Sequence, residues 1–206
     1  MHRVTSPGRP QRIGVLGGTF DPPHIGHLAV AVNVRDALGL DLVLLVVAND
    51  PWQKRGRHPI SPAADRLAMT RAAVEGHVGL EADDREIRRG GPSYSVDTVQ
   101  ELVAERPGAV VFVIVGQDAA AGLPTWDRPE ILARLASVAV VARPGSPFGP
   151  GDRPCGFRWV AVEAPELAVS STDLRARVAR GRTIEVLTPP GVASYVRDRG
   201  LYSVGR

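Results

Sequence analysis

Five short and almost unbroken apolar runs lie along the chain, and valine is common in all but the first. They are IGVL (13–16), LVLLVVA (42–48), VVFVIV (110–115), VAVVA (138–142) and WVAVEA (159–164). A strand with one face in water alternates apolar and polar residues, whereas a continuous run is typical of a strand that is covered on both faces. The pattern therefore predicts five buried strands.

Segments with helical spacing of apolar residues lie between these runs. The first stripe starts at Ile25, and further helices are predicted over Ala63–Val74, 96–103, Pro129–Leu135 and 172–178. Strands that alternate with helices are connected by right-handed crossovers and form a mostly parallel sheet. We predict an α/β, Rossmann-like fold with a doubly wound, mostly parallel sheet and helices on both faces. It forms a single domain over residues 1–206, with a flexible tail over residues 1–11.

Composition narrows the functional classes. The chain has 206 residues, 44% of them hydrophobic and 23% charged, with a formal net charge of +3, which is typical of a globular protein with one core. No dense Lys/Arg tract with interleaved aromatic residues occurs, so we expect no nucleic-acid partner. The first twelve residues are polar and the longest apolar run is too short to span a bilayer, so we expect no membrane partner. A single cysteine, Cys155, favours a reducing compartment, and we expect a cytoplasmic protein.

Two long loops, 49–60 and 143–156, are rich in Pro, Gly and Arg. In parallel sheets ligands bind beyond the carboxyl ends of the strands. The first loop has Trp52 and Lys54 just after a predicted strand, which favours a functional role for it. The second loop is expected to be a solvated excursion.

The first chemical motif is GGTFDPPHIGH (17–27), directly after the first predicted strand. Gly17 and Gly18 allow a close backbone approach to a bulky anion. His24 and His27 are three residues apart, in or beside the first turn of a helix, so they share one face. Free N–H groups and the helix dipole attract anions there. Capping and metal binding are the alternatives, but no HExxH pattern or cysteine partner supports zinc.

The second motif is LAVSSTDLRARVARG (167–181). Ser170, Ser171 or Thr172 could cap the helix that follows. Arg175 is three residues after Thr172 and so shares its face, and a guanidinium can bind phosphate oxygens in bidentate fashion. The segment therefore predicts a second anion-binding element.

Both motifs resemble those of a known superfamily. GGTFDPPHIGH is similar to the GGxFxPxHxGH motif of nucleotidyltransferases that transfer AMP or CMP onto phosphates, and SSTDLR resembles their ISSTxxR motif. The chain also resembles the bacterial nicotinate mononucleotide adenylyltransferase family from Ile13 to Tyr202. GPSYSVDTVQEL (91–102), VGQDAAAGLPTWDRPEIL (115–132) and the closing LTPPGVASYVRDRGLY carry this resemblance.

The resemblance implies transfer of AMP from ATP to nicotinate mononucleotide, with release of pyrophosphate and formation of deamido-NAD. The attack would be in line and would form no covalent intermediate. The implied catalytic residues are His27 at the α-phosphate, His24 at the ATP phosphates, and Arg175 and Lys54 at the β- and γ-phosphates. Further ATP-binding residues would be Gly17, Gly18, Thr19, Phe20, Gly116, Asp118, Ser171 and Thr172. Nicotinate mononucleotide would contact Lys54, Tyr94, Ser95, Thr98 and Trp126, and Mg²⁺ would be held mainly by the ATP phosphates.

Other functions compete with this one. One is another adenylyl- or cytidylyltransferase such as phosphopantetheine adenylyltransferase, although those chains tend to lack the SYSVDT and GLPTW stretches. A fragment of a class I aminoacyl-tRNA synthetase is disfavoured because no KMSKS-like loop is present. A noncatalytic nucleotide-binding protein is a third alternative. The sequence leaves open the choice between nicotinate and nicotinamide mononucleotide, homo-oligomer formation, and closure of loop 49–60 over ATP.

Overall fold

A computed structural model describes residues 9–51, 60–142 and 156–203. The strands in these ranges are β1 (Arg12–Gly18), β2 (Leu42–Val47), β3 (Leu80–Asp83), β4 (Val110–Gly116), β5 (Ala136–Ala142) and β6 (Trp159–Glu163). They form one parallel sheet in the order β3-β2-β1-β4-β5-β6. This is the order of a doubly wound nucleotide-binding sheet, and the predicted fold is confirmed.

Helices connect the strands and cover the sheet. They are α1 (Ile25–Leu38), α2 (Ala63–Val74), α3 (Arg85–Arg89), α4 (Ser95–Glu105), α5 (Gln117–Ala120), α6 (Pro129–Leu135), α7 (Ser171–Ala179) and α8 (Pro190–Asp198), with a 3₁₀ turn over Leu123–Thr125. The five helices predicted from spacing, α1, α2, α4, α6 and α7, are all present, whereas the spacing did not predict α3, α5 and α8. In the described part of the chain, no helix has both the length and the apolar character needed to cross a bilayer.

The interior strand β2 shows why the apolar runs are continuous. Leu42, Leu44 and Val46 point into the apolar cluster that includes residues of α4 and α6. Val43, Leu45 and Val47 alternate with them and point into the cluster that includes residues of α1. All six residues of the strand are buried. Both faces of β2 are therefore covered, as its continuous apolar run predicts.

Strand β3 was not predicted, and its sequence explains why. The strand is only four residues long, LEAD, and Leu80 is its one buried residue. It lies at the edge of the sheet and pairs with β2 alone. A short edge strand with one apolar anchor lacks the hydrophobic run that identifies the interior strands.

The chain joins the sheet close to the end of the predicted tail. The carbonyl oxygen of Gln11 accepts a hydrogen bond from the Val110 N–H at 2.8 Å. Arg9 forms an ion pair with Asp41. Residues 1–8 lie outside the described residues.

The direction in which strands are added reverses at β1. Strands β2 and β3 lie on one side of it, and β4, β5 and β6 lie on the other. Loops leave the carboxyl ends of β1 and β4 in opposite directions at such a reversal, and the crevice between them is where this kind of sheet binds ligands. Gly17 and Gly18 end β1 at this crevice, so the fold places the first motif there.

Candidate active site

A cavity of about 300 Å³ lies at the carboxyl ends of β1, β2 and β4. Eight of the residues predicted to bind a ligand are among those that line it: Gly17, Gly18, Thr19, Tyr94, Ser95, Thr98, Gly116 and Trp126. The fold therefore brings together three segments that are far apart in the sequence. Glu86, which the sequence analysis did not single out, is also part of the wall.

The two glycines that end β1 have different reasons to be glycine. A Cβ atom at Gly18 would lie 2.7 Å from the Phe20 ring, so the fold itself requires glycine there. A Cβ atom at Gly17 would meet no atom of the other described residues within 4 Å. The protein therefore does not require glycine at position 17, and the space beside it is open to a ligand in the cavity.

His24 and His27 meet at the start of α1. His24 is the N-cap residue, with an extended backbone, and its N–H donates to Nδ1 of His27 at 3.1 Å. The two imidazole rings are stacked with 3.8 Å between centroids, and the Phe20 ring contacts His27 edge-on. Since Nδ1 of His27 accepts a hydrogen bond, it carries no proton, and the neutral ring holds its hydrogen on Nε2.

His24 is buried and neutral at physiological pH. Only 8% of it is exposed, and burial lowers its pKa from 6.5 to about 4. Its Nδ1 atom is buried without a hydrogen-bond partner among the described residues. Gly26 makes room for the ring, because a Cβ atom there would lie 3.0 Å from His24 Nδ1 and 3.3 Å from a methyl carbon of Val169. The glycine between the two histidines is thus explained by packing.

Helix α7 contacts the loop that precedes His24. Ser170 caps the helix, its Oγ accepting from the Asp173 N–H at 3.1 Å. Ser171 Oγ donates to the carbonyl oxygen of Pro22 at 2.8 Å. Arg175 donates from Nη1 to the carbonyl oxygen of Asp21 at 2.8 Å, and from Nη2 to Thr172 Oγ1 at 3.3 Å. The two predicted anion-binding motifs, which are about 150 residues apart in the sequence, therefore form one site.

Arg66 joins the loops behind this site. It is 1% exposed and donates to main-chain carbonyl oxygens of four residues: Thr19, Ala48, Asn49 and Ser61. Burial lowers the pKa of Arg66, and the nearby charge of Asp21 opposes that shift. The sequence analysis missed Arg66, because an arginine in a predicted amphipathic helix is expected to face water.

One hydrogen bond and two ion pairs organise the far wall of the cavity. Thr98 is buried and donates from Oγ1 to Glu86 Oε1 at 2.6 Å. Arg128 forms ion pairs with Asp97, in the first turn of α4, and with Asp127, next to Trp126. Arg128 has a φ of 44°, in the left-handed region that non-glycine residues rarely adopt. The Arg128 ion pairs therefore connect the segment of Trp126 to the start of α4.

Other predicted residues lie elsewhere. Asp118 is exposed in the first turn of α5 and is not one of the residues that line the cavity. Thr172 is exposed on α7, next to Arg175. Lys54, together with Trp52, falls in 52–59, and Cys155 falls in 143–155; both ranges lie outside the described residues, so neither long loop is described in full. In 9–51, 60–142 and 156–203, no three His, Cys, Asp or Glu side chains are grouped to hold a metal, and Mg²⁺ bound through ATP stays a prediction.

Comparison with known proteins assigns the family. The cytidylyltransferase-like family model matches residues 15–177. A probable nicotinate-nucleotide adenylyltransferase from Streptomyces coelicolor is 44% identical over 91% of this chain and 98% of its own length, and one from Roseiflexus is 43% identical over 92% and 97%. Among solved structures, a Plasmodium falciparum nicotinic acid mononucleotide adenylyltransferase complexed with NaAD has a TM-score of 0.74 at 16% identity, covering 93% of this chain and 97% of that one, which supports the fold. The chain therefore belongs to the nicotinate-nucleotide adenylyltransferase family.

Proposed function

We propose that the protein transfers AMP from ATP to nicotinate mononucleotide, giving deamido-NAD and pyrophosphate. The observation that carries this proposal is the contact between α7 and the loop before His24, made through Ser171–Pro22 and Arg175–Asp21. It places an arginine beside the histidine pair at a helix N-terminus, an arrangement suited to a polyphosphate. The adjoining cavity, which Trp126 and Tyr94 line, offers aromatic surface for a pyridine ring.

The reaction needs no nucleophile from the protein. A phosphate oxygen of the mononucleotide, largely ionised at neutral pH because its second pKa is about 6, attacks the α-phosphorus of ATP. The bond from that phosphorus to the oxygen that bridges to the β-phosphate breaks, and pyrophosphate leaves with the electron pair. Catalysis then consists of aligning two anions and stabilising the charge that develops on the leaving group.

The geometry of the histidines suggests how they act. With Nδ1 occupied by the His24 N–H, His27 has an Nε2–H that can donate to a non-bridging oxygen of the α-phosphate. His24 is neutral at pH 7 because burial lowers its pKa, so it serves as a hydrogen-bond donor or acceptor for the phosphates rather than as a cation. Both histidines thus act through hydrogen bonds, and neither is a general base.

Arg175 supplies the permanent positive charge on the ligand side of the loop. Two of its five N–H donors contact Asp21 and Thr172, and a guanidinium can rearrange these contacts when a phosphate offers charged acceptors. Lys54 is proposed as a second cation for the β- and γ-phosphates. Mg²⁺ that arrives with ATP would neutralise further phosphate charge, with phosphate oxygens and water as its principal ligands.

The test is an acceptor panel. The purified protein is incubated with ATP, Mg²⁺ and one of three acceptors: nicotinate mononucleotide, nicotinamide mononucleotide or phosphopantetheine. Pyrophosphate release is measured and the product is identified by mass spectrometry. We expect deamido-NAD with the first acceptor, and the ratio of kcat/KM for the two mononucleotides measures the preference for a carboxylate over an amide. The proposal is contradicted if pyrophosphate is released only with phosphopantetheine, or if none of the three acceptors gives release.

Arg175 and Arg177 provide matched variants. Both are on α7, but Arg177 donates to the Thr183 carbonyl oxygen and, among the described residues, forms no hydrogen bond with the loop before His24. Loss of a charge-assisted contact that forms only with the phosphates costs about 2–3 kcal/mol, or roughly 30- to 150-fold. Arg175→Ala is therefore expected to lower kcat/KM for ATP by about 100-fold and Arg177→Ala by less than about twofold. Equal effects of the two substitutions would contradict the role of Arg175.

A further inference from the structure

Asp21, in the loop before His24, accepts hydrogen bonds through both its side chain and its main chain. Its side chain is buried, with 2% of the residue exposed. Oδ2 accepts from the Ser61 N–H at 3.0 Å, and Oδ1 accepts from the Tyr202 hydroxyl at 2.6 Å. Its main-chain carbonyl oxygen is the acceptor for Arg175. A shift of the Asp21 side chain would therefore also displace the main-chain carbonyl oxygen to which Arg175 donates.

Tyr202 brings the C-terminal segment to this position. It lies 181 residues after Asp21, beyond the end of α8, and its hydroxyl also contacts Met69 Sδ at 3.7 Å. Its φ of 64° is in the left-handed region, which is unfavourable for a bulky residue. Burial, and then the hydrogen bond to Asp21, raise the pKa of Tyr202 well above its ordinary value of 10. The hydroxyl is therefore a hydrogen-bond donor at every working pH.

We propose that Tyr202 is a positioning residue for the transfer reaction: its hydroxyl holds Asp21, and Asp21 holds the loop that presents His24, His27 and Arg175 to ATP. This rests on the proposed function, since it assigns Tyr202 a part in binding the ATP phosphates. Tyr202 is not among the described residues that line the cavity, and it acts through Asp21 rather than on the substrate.

A second tyrosine–aspartate pair supplies the control. Tyr195, on α8, donates from its hydroxyl to Asp65 Oδ1 at 2.8 Å. This hydrogen bond has the same chemistry as that of Tyr202, and it also connects the C-terminal region to the body of the domain. Asp65 lies in α2, and its other recorded partner is Arg199. Tyr195→Phe therefore removes an equivalent hydrogen bond without touching the loop before His24.

The experiment measures ATP binding separately from turnover. Binding of α,β-methylene-ATP with Mg²⁺ is followed by calorimetry without acceptor, and steady-state kinetics give kcat and both KM values. Tyr202→Phe, which loses one hydroxyl group, is expected to raise the Kd of the analogue and the KM for ATP by about tenfold and to lower kcat by about tenfold. The KM for nicotinate mononucleotide should stay within about twofold. Tyr195→Phe should leave Kd and kcat within about twofold.

A double-variant comparison tests the route through Asp21. Residues that act through one contact give non-additive effects, so Tyr202→Phe should change Kd by less than about twofold in an Asp21→Ala background, where the acceptor of the Tyr202 hydroxyl is gone. Full additivity overturns the proposal, as does an unchanged Kd for Tyr202→Phe or an equal effect of Tyr195→Phe. If the wild-type protein uses no acceptor but Kd still rises tenfold in Tyr202→Phe, the acceptor assignment fails and the positioning role stands.

Discussion

His27 has two ring nitrogens with separate tasks, and two substitutions separate them. Nδ1 accepts from the His24 N–H at the start of α1, and the proposed function assigns to Nε2–H the donation to the α-phosphate. In His27→Asn, the side-chain oxygen can replace Nδ1 as acceptor, but nothing reaches the position of Nε2. In His27→Gln, the longer amide can place an N–H near the Nε2 position and no longer suits the helix start.

Loss of the Nε2–H donor is expected to lower kcat, whereas loss of the Nδ1 acceptor is expected to lower stability. Removing one preorganised donor to a developing negative charge costs about 10²- to 10³-fold in kcat. Losing a hydrogen bond at a helix N-terminus costs about 1 kcal/mol of stability. Both substitutions also remove the ring contacts with Phe20 and His24, worth about 0.5–1.5 kcal/mol each. The free energies of unfolding of the two variants are therefore compared with each other rather than with that of the wild type.

We expect His27→Asn to lose about 100- to 1,000-fold in kcat, and His27→Gln to lose about tenfold. His27→Gln should have the lower free energy of unfolding, by about 1 kcal/mol. Pyrophosphate release under saturating substrates gives kcat, and urea titration gives the free energy of unfolding. A kcat for His27→Asn above one tenth of the wild-type value would refute the assignment of Nε2, and a more stable His27→Gln would refute the assignment of Nδ1.

Two further predictions concern the walls of the site. His24 has a pKa near 6.5 when unfolded and about 4 in the fold, so its contribution to stability is complete above pH 6.5 and is lost as pH falls from 6.5 towards 4, at up to about 1.4 kcal/mol per pH unit. Urea titrations at pH 7.5, 5.5 and 4.5 should give a steeper decline for the wild type than for His24→Gln, and equal slopes would contradict the burial argument. Arg128→Gly and Arg128→Ala both remove the guanidinium that connects Asp97 to Asp127, so both should raise the KM for nicotinate mononucleotide by about tenfold and leave the KM for ATP unchanged. Arg128→Gly should be the more stable, because glycine adopts the left-handed φ at no steric cost. An unchanged mononucleotide KM in both variants would exclude a role for Arg128 in binding nicotinate mononucleotide.

The strands and the main helices could be predicted because each leaves a local pattern. Interior strands such as β2 are continuous apolar runs, and α7 begins within a series of serine and threonine residues that can act as caps. The choice of Ser170 among the three capping candidates could not be made from sequence, because each has a side-chain oxygen that can accept from a helix N–H. The edge strand β3 had too few apolar residues to leave a pattern.

The motif residues could be predicted because their spacing is short, whereas the residues that support them could not. His24 and His27 are three apart, and their contact follows from helix geometry. The contact between Tyr202 and Asp21 spans 181 residues, and only the tertiary fold creates it. The roles of Glu86 and Arg66 could not be predicted either. Each is a charged residue in a helix, and nothing nearby in the sequence distinguishes a buried charged residue from the exposed majority.

The acceptors of Arg66 determine which substitutions this region tolerates. Within the described part of the chain, its hydrogen bonds all end on main-chain oxygens, at Thr19, Ala48, Asn49 and Ser61. Every amino acid offers the same carbonyl group, so these four positions can change their side chains during evolution without losing the contact. Arg66 has no such freedom, because no other side chain has five N–H donors in one rigid plane. The contact between the ends of β1 and β2 therefore depends on the identity of one residue, Arg66, whereas the side chains of its four acceptor residues can vary.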